Sequence, residues 1–173
     1  MKGVVVDACV MQHFLTALIS KTENDATRLV DCLSSGEGFA IDEKDKVVNQ
    51  WRETCRHQVM EDWITLGIQA GYIRMVSSGP TAQHKKHLQT KLGFPYEQRH
   101  EGVYVEVAHT APPHILVTDD IDFWEPKAKR RSAAEKARFV SGRTGGVCTY
   151  LRKKMKTQVL SVQQALSDLG CTT

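Results

Sequence analysis

At 173 residues, with 41% apolar and 25% charged side chains, the chain has the size and composition of one folded domain, which excludes a disordered segment and leaves little room for a second full unit. No apolar run approaches the roughly 20 residues that cross a bilayer, and the opening "MKGVVVDACV" is too short and too acidic for a secretory signal. These features, with cysteines Cys9, Cys32, Cys55, Cys148 and Cys171 lacking zinc-like spacing, predict free thiols, a cytoplasmic location and no membrane partner. The net charge of +3 is unevenly spread, because Lys127 to Lys156 is densely basic with Glu135 as its single acid. Such asymmetry suits a polyanionic partner.

In chain order, "KGVVVD" at 2–7 is a short continuous apolar run bounded by charge, the pattern of a strand covered on both faces. Residues 9 to 19 and 22 to 33 carry apolar side chains at helical spacing. "GFAID" at 38–42 is a second strand, and residues 43 to 70 read as helix with a break near Met60 and a stop at Gly71. "SSGP" at 77–80 marks a turn, followed by the basic helix "TAQHKKHLQTKL", in which His84 and His87 share a solvated face and Lys85, Lys86 and Lys91 add charge. A helix from about Glu97 to His109 precedes the strand "HILVT" at 114–118. Residues 126 to 146 form a basic insertion, with a helix over 132 to 140 and a mobile loop at 141 to 146. "TQVLS" is the last strand, and Ser161 with Gln164 has capping-box spacing for a closing helix that ends at Gly170. Strands alternating with helices predict an α/β fold, three layers with helices on both sides of a central, mainly parallel sheet.

In such a sheet, ligands bind beyond the carboxyl ends of the strands. Asp7, Asp42 and the run Asp119, Asp120 and Asp122 all stand there. One aspartate after a strand is most simply a helix cap; three within four positions exceed what a cap needs. Two carboxylates about 4 Å apart repel by roughly 4 kcal/mol at an effective dielectric of 20. A divalent cation cancels that cost, and Mg²⁺ or Mn²⁺ prefers such hard oxygen ligands.

"VVVDACV" at 4–10, "HEGVYVEVAHT" at 100–110 and "ILVTDDIDF" at 115–123 resemble, in order, the acidic blocks of PIN-domain nucleases. The resemblance implies a single PIN-like domain over residues 1–173 and a metal-dependent endonuclease acting on single-stranded nucleic acid, RNA favoured over DNA. It assigns Asp7, Glu101, Asp120 and Asp122 as catalytic metal ligands, with Thr118, Asp119 and Cys9 in support. The family's second acid falls near Gln50, an amide without negative charge; Glu53 and Glu43 are the substitutes within reach, and Asp42 reads as a cap. Lys127, Lys129, Arg130, Arg131, Arg138 and Arg143 form the expected backbone grip, and Trp124 stands where it could stack on a base. Expected partners are the nucleic acid, an antitoxin or regulatory protein for a toxin or defence effector, and a second copy of the chain. The alternative is a catalytically degenerate PIN-like module that binds nucleic acid or protein without cutting, with Gln50 as the mark of lost activity.

Overall fold

The computed structural model describes residues 2–79 and 81–171; Pro80 of the expected turn lies outside them. The first strand is β1 (Val5–Val6), with β2 (Phe39–Asp42), β3 (Ile73–Val76), β4 (Ile115–Val117) and β5 (Gln158–Leu160) following. All pairings are parallel: β1 with β4, β4 with β5, and β2 with β3. A parallel bridge between Val4 and Phe39 joins the two groups, so the spatial order reads β3-β2-β1-β4-β5. Continuous burial along "VVV", "FAI" and "ILV" is what a sheet covered on both faces demands. The α/β class with a small parallel sheet follows as expected.

β3 was not anticipated. Its residues Arg74 and Met75 stay partly exposed, and the outermost strand needs only one side of apolar contact, so its sequence lacks the continuous apolar signal.

Between the strands run α1 (Ala8–Ser20), α2 (Asp25–Ser35), α3 (Lys46–Cys55), α4 (Gln58–Ala70), α5 (Ala82–Leu92) and α6 (Gly102–Thr110). After β4 come α7 (Ala133–Ser141) and α8 (Gly146–Met155), and α9 (Val162–Asp168) follows β5. α1 packs on α2 and α3, α3 on α4, and α9 returns to α2, while α5 meets α8 and α6 lies against β1, β2 and β4. With crossovers of the usual right-handed sense, these two sets of helices are compatible with three layers. The capping box at Ser161 and Gln164 forms. No helix among the described residues is long and apolar enough to cross a membrane.

Several boundaries move. The break between α3 and α4 falls at Arg56, in the left-handed region with φ 34°, ahead of Met60, because the His57 ring accepts the Val59 N–H and restarts the helix. α6 begins at Gly102 rather than Glu97: a side chain at 102 would strike the Tyr96 ring at 2.2 Å, and Tyr96 is itself fixed through its hydroxyl to Thr81 and Glu106. The expected loop 141–146 shrinks to residues 142–145, between the end of α7 at Ser141 and the start of α8. α8 starts at Gly146, and the N–H groups of Val147 and Cys148 donate to the Trp124 carbonyl. Gly145 (φ 115°) is required there, since a Cβ would lie 2.3 Å from that carbonyl oxygen.

The cysteine expectation is also corrected. Cys32 on α2 and Cys171 beyond α9 are bonded across 139 positions, while Cys9, Cys55 and Cys148 are free. The packing of α9 on α2 creates this neighbourhood, and sequence spacing carries no trace of it. A structural disulfide is more usual outside reducing compartments, so the thiol argument for the cytoplasm lapses.

Candidate functional site

The acids collect at the carboxyl ends of β1 and β4. The sheet order changes direction between these strands, the topological switch point where open parallel sheets form their crevice. β1 is fixed there by three contacts: Trp51 Nε1 donates to the Val6 carbonyl at 2.9 Å, Asp7 N–H to the Val117 carbonyl at 3.0 Å, and Ala8 N–H to the Tyr104 hydroxyl at 3.2 Å.

Asp7 precedes α1 but makes no side-chain cap bond, so the simple capping reading fails for it. Its Oδ2 instead accepts from the Thr118 hydroxyl at 2.7 Å and the Cys9 thiol at 3.1 Å. Burial pushes its carboxyl up, these two hydrogen bonds pull it back, and Asp120 raises it again. Burial and the charge of Asp7 hold the Cys9 thiol protonated, and it serves as a hydrogen-bond donor to Asp7.

Thr118 is completely buried. Its hydroxyl donates to Asp7 and accepts the Asp120 N–H at 3.0 Å, linking the ends of both strands. Asp120 Oδ1 then accepts the Asp122 N–H at 2.9 Å and caps the short 3-10 turn Ile121–Phe123. Asp119 is exposed and turns away: its Oδ1 accepts the Val162 N–H at the start of α9, a tether rather than a support for the cluster.

Glu101 enters from the start of α6. Glu101, Asp120 and Asp122 place carboxylate oxygens within 4.8 Å of one another, the one group of this kind among the described residues. Asp7 falls outside that spacing but is joined to Asp120 through Thr118. Glu101 is 7% exposed, and its Oε2 is buried with no hydrogen-bond partner among the described residues. Burial first, then Asp120, Asp122 and Asp7, push its carboxyl up to about 8, against the opposing pull of Arg99. Asp122 is buried, and its Oδ2 accepts from Lys129 Nζ at 2.6 Å and Arg99 Nη1 at 3.3 Å.

The donor set fits a hard divalent ion: the converging atoms are carboxylate oxygens, the neighbouring sulfur is protonated, and one buried oxygen lacks any partner. Burial first, and the neighbouring carboxylates second, raise the Glu101 carboxyl in the absence of an ion.

The candidate second acids do not join this group. Gln50 Nε2 donates to the His100 carbonyl at 2.8 Å. With Glu53, Gln50 lines a groove of about 500 Å³ that also holds Lys46, Tyr96 and His100. Glu43 lines a different hollow beside Asp42, and Asp42 accepts the Lys44 and Val47 N–H groups as a structural cap of α3. Trp124 is fully buried and unavailable for base stacking, a correction set by its position under α8.

In the basic segment, Lys127, Lys129, Arg130, Arg131 and Arg138 are exposed. Arg131 pairs with Glu135 at 3.9 Å and Arg143 with Asp168 at 2.7 Å, so those two are already engaged. His87 is exposed, as its helix face implies, with its ring stacked on Tyr150, whereas His84 is half-buried and bonds the Tyr150 hydroxyl. Two residues escaped the sequence reading. Arg99 stands two positions before Glu101, where a cation beside a predicted ligand was a usable signal; Tyr104, one helical turn after Glu101, gave none. No protein family, curated protein or solved structure matches this chain.

Proposed function

We propose that this protein is a PIN-like, metal-dependent nuclease that hydrolyses phosphodiester bonds in single-stranded nucleic acid, with RNA preferred. The observation that carries the reading is the partnerless buried oxygen of Glu101, held among Asp120 and Asp122 at the switch point of the sheet. The sheet order β3-β2-β1-β4-β5, with acids after β1 and β4, supports the fold reading.

Within the group Glu101, Asp120 and Asp122, the first two, which carry no ion pair, would hold Mg²⁺ or Mn²⁺. Such an ion supplies charge neutralisation at phosphoryl oxygens and a more acidic water. Thr118 orients Asp7 and anchors the Asp120 backbone, keeping both carboxylates in fixed positions. The exposed cations Lys127, Arg130 and Arg138 supply a grip for the sugar–phosphate backbone on a surface continuous in sequence with the cluster.

The test is Mn²⁺-dependent cleavage of labelled single strands. Asp7→Asn and Asp120→Asn are expected to abolish it while remaining folded; variants that cut like the parent would end the proposal. Gln50 favours a second reading, a degenerate module that binds nucleic acid without cutting, because its amide is engaged by His100 and α3 contributes no acid to the cluster. Tight binding of labelled RNA with no product at saturating Mn²⁺ selects that reading.

A further inference from the structure

Asp122 is the acid of the cluster whose charge is already answered by the chain itself. Two cations from separate segments converge on its one oxygen: Lys129, from the turn after β4, and Arg99, from the approach to α6. The Asp122 side chain is 3% exposed, yet those of Lys129 and Arg99 are 44% and 53% exposed. Each reaches inward with one donor and keeps others in solvent. An ammonium has three N–H donors and a guanidinium five, so both can hold Asp122 and a second anion together. Phosphate oxygens are the anion that suits this pair.

Charge counting points the same way. With Asp7, Glu101, Asp120 and Asp122 all ionised, the fixed positive charges of Arg99 and Lys129 leave two negative charges, enough for one divalent ion. A second ion would have to share Asp122 with two cations that repel it. Gln50 adds no charge from α3 that would offset this.

We propose that Arg99 and Lys129 take the place of a second metal ion: the site accepts one divalent cation, through Glu101 and Asp120, and the two basic side chains contact the phosphate of the bound strand. This rests on the nuclease reading above and adds to it the ion stoichiometry, Arg99 as a substrate contact, and a place beside the acidic cluster for Lys129 of the basic grip.

The experiment compares the parent chain, Lys129→Gln and the double variant Arg99→Gln with Lys129→Gln. Mn²⁺ binding is followed by titration calorimetry, and binding of a labelled single-stranded RNA by fluorescence anisotropy with Ca²⁺ replacing Mn²⁺. The parent is expected to take one Mn²⁺. The double variant is expected to bind Mn²⁺ at least ~10-fold more tightly or to take a second ion, since two repelling but half-exposed cations are gone. Its RNA affinity is expected to fall by at least ~10-fold. These opposite signs are not produced by a merely structural role. Should the double variant fail to fold in a thermal melt, Lys129→Gln alone carries the test, with changes of roughly 3-fold in the same two directions. A folded variant with parental Mn²⁺ affinity and stoichiometry, or with parental RNA affinity, overturns the inference and leaves the nuclease reading standing. A parent chain that binds no Mn²⁺ overturns both.

Discussion

Replacing Glu101 by Gln tests the electrostatics of the cluster directly. The surrounding burial and carboxylates move this carboxyl from its ordinary 4.5 to about 8. Below about 4.5 folded and unfolded chains both hold the proton, so the group has no effect on stability. Between the two values the folded protein keeps a proton that the unfolded chain has released, so stability falls as pH rises, and above about 8 the penalty is complete. At about 1.4 kcal/mol per tenfold change in proton affinity, the upper bound is roughly 5 kcal/mol. Part-exposed Asp120 and the flanking cations Arg99 and Lys129 screen this, which reduces the expected effect to about 2 kcal/mol. Glutamine has the shape of the protonated acid and no charge to gain. E101Q and parent should therefore agree to within about 0.5 kcal/mol near pH 4. Near pH 8.5 the variant should be more stable, by about 4–8 °C in Tm for a chain of this size. Melts in EDTA across that range provide the assay, and a difference between the two proteins that stays constant with pH refutes the reasoning. Added Mn²⁺ should reverse the order, because the parent then gains a bound ion that E101Q holds less well.

Thr118→Val removes the donor to Asp7 and the acceptor for Asp120 N–H; urea melts should show a loss of about 2–3 kcal/mol, and calorimetry a weaker Mn²⁺ site. Gln50→Glu replaces an N–H donor with an oxygen facing the His100 carbonyl, so a loss of about 1 kcal/mol and no gain in cleavage are expected; a rise in Mn²⁺-dependent product would show that α3 can reach the cluster. Gly145→Ala forces a Cβ to within 2.3 Å of the Trp124 carbonyl at φ 115°, and should cost at least ~2 kcal/mol in the same melts. Reducing the disulfide across its 139-residue separation should lower stability by up to about 5 kcal/mol on the chain-entropy account, read as the shift in urea midpoint with and without a thiol reagent.

What could be read from the sequence followed from local chemistry. "VVV", "FAI" and "ILV" are apolar runs long enough to declare strands, the last strand adds the shorter "VL", and Ser161 with Gln164 announces a helix start by its own hydrogen bonds. Asp7 and Asp120 were visible because they immediately follow such runs. β3 was not, since Arg74 interrupts its apolar pattern at the sheet edge. The ion pairs on Asp122, the Tyr104 anchor of β1 and the burial of Trp124 under α8 all depend on how separate segments meet, which periodicity does not encode. The groove beside Gln50 is likewise a product of α3, α5 and α6 coming together.

The bond between Cys32 and Cys171 has a practical corollary for handling the protein. It spans most of the chain, so a protease cutting anywhere between those positions yields pieces that remain covalently tied. Such a nicked sample migrates as a single species on a denaturing gel until a reductant is added. Integrity judged without reductant will therefore overstate how much polypeptide is whole, and paired lanes reveal the hidden cuts.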